Sequence, residues 1–287
     1  MNIEKFEIER ARPDAPVAKP LVVRGETFHP EGDGDPIGTV VICHGFKGFA
    51  HWAFFPYLGK SLADNGMRAI TFDFSGNGVG ADRENFSELE EFETNTFSQE
   101  LADLGEVIAE ARRREWIGNE GFGLFGHSRG GGVAILHAGF DEDVKALVTW
   151  ASISKVRRWS DEDVRIWREA GYTNIHNSRT GQDMRLGTAL LDDVEAGENK
   201  RLDIPAAARR IGVPWLIVHG DADETVSVRE GERLAELSPG FGMLWTVEGG
   251  NHGFGASHPV VDAPPTLALV VRGTVGFFAE HLARATV

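Results

Sequence analysis

One segment, residues 121–132 with the sequence GFGLFGHSRGGG, constrains the fold more than any other part of the chain. Its apolar first half is typical of a buried strand, and the glycines that follow favour a sharp turn into a helix. Gly126 and Gly130 lie two residues either side of Ser128, where larger side chains would collide with the adjacent strand and helix. The pattern predicts a turn that lifts the Ser128 hydroxyl clear of a sheet, and a glycine-rich turn with an incidental serine is the alternative.

Strand-like and helical segments alternate over most of the remaining sequence. Strand-like segments lie near residues 3–10 and 19–25, as a hairpin pair, and at residues 38–43, 68–72, 145–150, 214–218 and 242–247. Apolar residues recur at helical spacing within residues 52–62, 101–111 and 266–282. This alternation predicts an α/β fold in which helices cover both faces of a mostly parallel sheet of about eight strands.

Residues 155–204 interrupt the alternation. A helix is expected to begin after Ser160, whose hydroxyl would cap it, and a hairpin of residues 172–175 and 184–186 is expected around Arg179. We interpret this segment, called the lid segment below, as an insertion over one end of the sheet. Its nine basic and ten acidic residues nearly balance, so its composition gives no sign of an anion-attracting entrance.

Composition and charge limit the function classes. The 287 residues are interpreted as one domain, residues 1–287, and the net charge of -15 argues against binding to nucleic acid or to an anionic membrane. The single cysteine, Cys43, excludes an intrachain disulfide and a cysteine-based zinc site. No signal peptide and no apolar run of membrane-spanning length are visible, so we expect a cytoplasmic protein that acts on small molecules without a metal.

Nucleotide binding is a weaker interpretation. Residues 73–80, with the sequence DFSGNGVG, contain several glycines, but neither a GK[ST] motif nor a helix follows them directly. We interpret these residues as a structural turn and expect no cofactor.

A serine nucleophile needs an imidazole base and a carboxylate that fixes the tautomer of that base. Candidates follow two later strands, in residues 219–226 (HGDADETV) and residues 248–254 (EGGNHGF). Strand ends are where an open parallel sheet places its functional site. Asp223 and His252 are the favoured acid and base; the alternatives are Asp221 and Glu224 as the acid and His258 as the base.

The order of these residues resembles the α/β-hydrolase fold family, whose triad runs serine, acid, histidine along the chain. The family's HGxxD motif matches at Asp223 and its GxxHxF motif matches at His252, and the resemblance extends from about residue 39 to residue 282. It implies a catalytic triad of Ser128, Asp223 and His252. It also implies an oxyanion hole formed by two backbone N–H groups, those of Arg129 and Phe46.

Within the family, the chain resembles bacterial hydrolases of the dienelactone-hydrolase-like and feruloyl or cinnamoyl esterase-like groups. True dienelactone hydrolases carry cysteine where this chain has Ser128, so the resemblance implies cleavage of carboxylic esters rather than lactone opening. A serine peptidase that resembles the prolyl-oligopeptidase catalytic domain is the second hypothesis. A noncatalytic binding protein with this fold is the third.

Aromatic residues supply the expectations about the substrate pocket. Those of the lid segment and of the loop after residue 43 are candidates to line it: Phe49, Trp52, Trp159, Trp167 and Tyr172. The alternative is that the aromatic residues of the lid segment form a small core of their own.

Overall fold

A computed structural model describes residues 2–11, 19–32, 34–177, 180–238 and 240–283. Its strands are β1 (Asn2–Arg10), β2 (Leu21–His29), β3 (Thr39–Cys43), β4 (Arg68–Asp73), β5 (Phe122–His127), β6 (Val144–Trp150), β7 (Tyr172–Asn177), β8 (Gln182–Gly187), β9 (Trp215–Gly220) and β10 (Gly242–Val247). Its helices are α1 (Phe54–Asp64), α2 (Leu89–Glu93), α3 (Phe97–Arg113), α4 (Arg129–Ala138), α5 (Asp161–Ala170), α6 (Ala189–Gly197), α7 (Ile204–Arg210), α8 (Val228–Leu237) and α9 (Pro265–Leu282).

Eight strands form one sheet in the order β1-β2-β4-β3-β5-β6-β9-β10. β1 pairs antiparallel with β2, and β2 pairs antiparallel with β4. All later pairs, from β4 and β3 to β9 and β10, are parallel. The predicted early hairpin and the predicted sheet of about eight mostly parallel strands are both confirmed.

The central strands are buried on both faces, as their apolar runs predicted. Along β3, Val40 and Ile42 belong to one apolar cluster, whereas Val41 and Cys43 belong to another on the opposite face. The first cluster includes the buried faces of α1 and α9, and the second includes those of α3 and α4. Because parallel strands end together, this sandwich brings the ends of β3, β5, β9 and β10 to one edge.

The lid segment contains α5, the β7–β8 hairpin and α6. Ser160 caps α5 as predicted: its side chain accepts the Asp163 N–H at 3.1 Å, and the Asp163 carboxylate accepts the Ser160 N–H at 3.2 Å. β7 and β8 pair antiparallel, which confirms the hairpin, although Arg179 in its turn lies outside the described residues.

Two kinds of structural feature are absent from the described part of the chain. None of the helices described there combines the length and the apolar character that crossing a membrane requires. The described residues also contain no group of three or more histidine, cysteine or acidic side chains arranged to hold a metal ion.

Candidate active site

Ser128 lies at the turn between β5 and α4, in a backbone conformation that is strained for a residue with a side chain. Its φ is 56° and its ψ is -121°. The Ser128 N–H donates to the carbonyl of Trp150, at the end of the neighbouring strand β6, at 2.9 Å. Strained backbone of this kind persists only where the surrounding structure holds it, and it concentrates at functional sites.

The glycines around Ser128 are required by close backbone contacts. A Cβ atom on Gly126 would lie 2.4 Å from the Gly130 carbonyl oxygen, and one on Gly130 would lie 2.2 Å from the His44 carbonyl oxygen. Neither contact can be relieved by rotating a side chain, because both partners are backbone atoms. The predicted steric reason for the GxSxG spacing therefore applies here.

Asp223 and His252 are joined directly. The His252 Nδ1–H donates to Oδ2 of Asp223 at 2.8 Å, and the backbone N–H groups of Thr225 and Val226 donate to Oδ1 at 2.8 and 2.9 Å. The Asp223 side chain is fully buried, so these bonds hold its orientation. With Nδ1 as the donor, Nε2 of His252 carries the lone pair that can accept a proton.

The electrostatics of this pair favour an ionised acid. Burial raises the pKa of Asp223, but interactions with His219 and His252 and the hydrogen bond from the Val226 N–H outweigh burial and hold that pKa well below its usual range. A buried carboxylate next to an imidazole stabilises the imidazolium that forms when the ring takes up a proton. The arrangement suits His252 to act as a base.

The alternative acids and base occupy other positions. Asp221 accepts the Gly249 N–H at 2.7 Å, and Glu224 is exposed. His258 accepts the Ala53 N–H at Nδ1, at 3.0 Å. The structure brings Asp223, rather than Asp221 or Glu224, to the ring of His252.

His127, which precedes Ser128 and was expected to make a structural hydrogen bond, contacts the backbone of His252. Its Nε2–H donates to the His252 carbonyl at 2.9 Å, and the two imidazole rings lie 4.7 Å apart. Burial and the neighbouring His252 lower the pKa of His127 to about 3, so its ring is neutral. The x positions of a GxSxG motif carry no signal of such a role, because only the fold places His127 beside His252.

Ser128 and His252 both line one cavity of about 580 Å³. Its other lining residues are Gly45, Phe46, Lys47, Gly48, Trp52, Phe97, His127, Arg129, Ile153, Val156, Arg158, Trp159, Ile175, Leu186, Leu190 and Thr225. Among the described contacts the two side chains are not hydrogen bonded to each other; in substrate-free hydrolases this contact is often loose. The volume is typical of small-molecule sites.

The loop after β3 passes directly against the serine. A Cβ atom on Gly45 would lie 3.0 Å from Cβ of Ser128. His44 anchors the loop: its Nε2 accepts the Phe74 N–H at 3.1 Å, so its Nδ1–H donates to the Gly45 carbonyl at 2.9 Å. Phe46 follows in this loop. Arg129 is the first residue of α4, where a backbone N–H has no acceptor within the helix.

Two of the five aromatic candidates, Trp52 and Trp159, line the cavity. The other three belong to different surroundings, which corrects the expectation for them. Phe49 is buried against Phe86 and His258. Trp167 packs edge-on against Trp159 and is only 3% exposed, and Tyr172 lies under the Arg185 guanidinium. Trp167 is instead part of the apolar cluster that the lid segment shares with α3 and α4, so it belongs neither to the cavity wall nor to a separate core of the lid segment.

Several cavity residues have no sequence signal of that role. Phe97 is the first residue of α3, and Ile175 and Leu186 lie in β7 and β8, the two strands of the lid hairpin. Their apolar side chains predict burial, but that prediction does not distinguish a place in the core from a place on the cavity wall. Only the packing of the lid segment over α3 brings these residues to one wall.

Comparison with known proteins agrees with this architecture. The model of the alpha/beta hydrolase fold family matches residues 38–173. The chain has the α/β-hydrolase fold. Its sequence is 27% identical over 219 residues to an uncharacterized 31.7 kDa protein from the traX-finO intergenic region of Escherichia coli, across 69% of this chain and 68% of that one.

Two solved structures illustrate the spread of proteins with this hydrolase fold. One is Est1E from Butyrivibrio proteoclasticus with ferulic acid bound, with a TM-score of 0.69 and 20% identity over 92% of this chain and 96% of that chain. The other is the acylaminoacyl peptidase of Pyrococcus horikoshii, with a TM-score of 0.68 and 16% identity over 99% of this chain and 43% of that chain. At these identities the likeness is one of fold.

Proposed function

We propose that the chain is a serine hydrolase that cleaves small carboxylic esters through an acyl-enzyme, with a triad of Ser128, His252 and Asp223. The observation that carries the proposal is the 2.8 Å hydrogen bond between His252 and a buried Asp223, in a protein whose Ser128 occupies a strained turn on the same cavity. The Asp–His pair fixes the tautomer that a serine hydrolase needs.

In the first half of the reaction, Ser128 Oγ adds to the acyl carbonyl carbon while its proton moves to Nε2 of His252. The backbone N–H groups of Phe46 and Arg129 donate to the oxygen that becomes negative. The carbon–oxygen bond of the ester then breaks, and the departing alcohol takes the proton from His252. Asp223 stays ionised throughout and stabilises the imidazolium.

In the second half, water releases the acyl group. His252 Nε2 takes a proton from the water as its oxygen adds to the acyl-enzyme, and the same proton returns to Ser128 Oγ as the carboxylic acid leaves. No cofactor is needed at any step of this mechanism.

A second candidate is amide cleavage. The structural likeness to an acylaminoacyl peptidase favours it, because peptide and ester substrates pass through the same kind of acyl-enzyme. This chain matches 43% of the length of that peptidase, whereas it matches 96% of the length of Est1E, the protein solved with ferulic acid bound. Ester cleavage is therefore the preferred proposal.

The two candidates are separated by turnover of p-nitrophenyl esters, methyl ferulate and aminoacyl amides by the wild type and by Ser128→Ala. We expect ester turnover in the wild type and a loss on the order of a million-fold in kcat for the variant. Faster cleavage of amides than of esters would favour the peptidase. Ester turnover that survives in Ser128→Ala would contradict both.

A further inference from the structure

The charged side chains that line the cavity are all basic. Among the described lining residues they are Lys47, Arg129 and Arg158, and none is aspartate or glutamate. This is the reverse of the whole chain, in which 44 acidic residues outnumber 29 lysines and arginines. The charged side chains that face the cavity are therefore of one sign, opposite to that of the chain as a whole.

The balanced charge of the lid segment is distributed unevenly in space. Six of its ten acidic residues form ion pairs with arginines that do not line the cavity: Asp161 with Arg157, Glu162 and Glu169 with Arg165, Asp192 and Glu195 with Arg168, and Asp193 with Arg201. Arg158, in contrast, lies on the cavity wall, where its Nη2–H donates to the Thr225 carbonyl at 3.3 Å. A count of charges along the sequence does not show that these acidic side chains and Arg158 lie in different places.

Arg129 is the most constrained of the three cations. It is only 7% exposed, and its Nε–H donates to the Glu100 carboxylate at 2.7 Å. Its guanidinium carbon lies 3.9 Å from the centre of the Phe97 ring and 5.3 Å from that of Phe46. These contacts hold the guanidinium in one place on the cavity wall, next to Ser128.

The hydrogen-bonding capacity of Arg129 is not used up. A guanidinium has five N–H donors, and the Glu100 bond engages Nε alone. No acceptor for Nη2 exists among the described residues. Since a buried donor without a partner costs free energy, and native proteins rarely keep one without a role, Nη2 leaves the guanidinium with donor capacity for an anion that enters the cavity.

We propose that the cavity binds esters that carry a carboxylate group, with the guanidinium of Arg129 as the principal donor to that carboxylate. A carboxylate matches the planar fork of a guanidinium and can accept two parallel hydrogen bonds. Lys47 and Arg158 add positive potential at the walls. The aliphatic and aromatic lining accommodates the carbon skeleton between the carboxylate and the ester. This inference deepens the proposed function and rests on it for the fate of the bound ester.

Binding is measured separately from turnover by calorimetry on Ser128→Ala. The probes are monomethyl adipate and methyl hexanoate, which share chain length and differ in the terminal carboxylate, with 4-acetoxybutanoate and butyl acetate as a pair that carries the carboxylate on the alcohol side. We expect at least one anionic ester to bind about ten- to a hundredfold more tightly than its neutral partner. Equal affinity within both pairs would overturn the inference.

Variants then locate the site. Arg129→Met combined with Glu100→Gln removes both buried charges together, so that neither is left unpaired. We expect this double variant to abolish the preference for the anionic ester, and Arg158→Gln to reduce it. Arg157→Gln is the matched control, since Arg157 pairs with Asp161 and is not among the lining residues, and it should keep the full preference.

The outcomes separate the two proposals. If the double variant does not fold, as judged by its thermal transition, the preference of Ser128→Ala and the contrast between Arg158→Gln and Arg157→Gln still decide the inference. A preference that persists in Arg158→Gln and in a folded double variant would refute it. If the wild type hydrolyses no ester while Ser128→Ala binds carboxylates selectively, the proposed function fails and the carboxylate site stands.

Discussion

At the scale of single residues, the candidate site depends on which side chain reaches which atom. Asp221 and Asp223 lie two positions apart in one loop, yet Asp223 contacts His252 and Asp221 contacts the Gly249 backbone. Two carboxylates of equal chemistry therefore have different expected roles, and substitution separates them.

Asp223→Asn should lower kcat for esters about 10,000-fold, because an amide at this position no longer fixes the productive tautomer of His252. The measurement is kcat for a p-nitrophenyl ester at saturating substrate. Asp221→Asn is the control and should keep most of the activity, since it retains an oxygen that can accept the Gly249 N–H. Similar losses in both variants would argue against Asp223 as the triad acid.

His127 gives the protein a pH-dependent stability. Burial and the neighbouring His252 lower the pKa of His127 from 6.5 to about 3, so the unfolded chain takes up a proton first as pH falls. The contribution of this group to the free energy of unfolding is fully present above pH 6.5 and is lost progressively as pH falls toward 3. Between pH 7 and pH 5 this one group should cost about 2 kcal/mol of unfolding free energy.

The test compares the wild type with His127→Gln, whose side chain does not titrate but can still donate a hydrogen bond. Urea unfolding at pH 7 and pH 5 should show that the wild type loses about 2 kcal/mol more than the variant between the two values. Parallel losses in both proteins would mean that His127 is not held neutral by the fold.

At the scale of elements, two helices of the lid segment begin in different ways. α5 begins with a reciprocal pair of hydrogen bonds between Ser160 and Asp163. Thr188, the N-cap residue of α6, makes no side-chain capping bond. The two helix starts within one segment provide a matched comparison.

Ser160→Ala should weaken α5 by about 1 kcal/mol, whereas Thr188→Ala should change α6 by much less. Amide hydrogen exchange followed by mass spectrometry reports both. We expect faster exchange in the first turns of α5 in Ser160→Ala only. Equal acceleration of α5 and α6 in their respective variants would show that the capping bonds do not determine the stability of the helix starts.

At the scale of the whole molecule, periodicity and glycine placement predicted the fold. The apolar run that became β3 and the glycines around Ser128 are local signals, because burial on both faces and a tight turn each leave a pattern in adjacent residues. The cavity was harder to predict. Phe49 and Trp52 are three positions apart, yet Phe49 enters the core while Trp52 lines the cavity.

The positions of the charged side chains around the cavity could not be predicted from the sequence either. The pairing of Arg129 with Glu100 joins α4 to α3 across 29 positions of sequence, and no local sequence pattern predicts it. Sequence motifs therefore identified the candidate chemistry, whereas the character of the cavity followed only from the packing of separate elements.

The most direct test of the central claim is mass spectrometry of the protein after reaction with a fluorophosphonate, which forms a stable adduct with an activated serine. We expect one equivalent of label on the peptide that contains Ser128, and loss of labelling in Ser128→Ala. Absence of label in the folded wild type, or label on another residue, would contradict the assignment of Ser128 as the nucleophile.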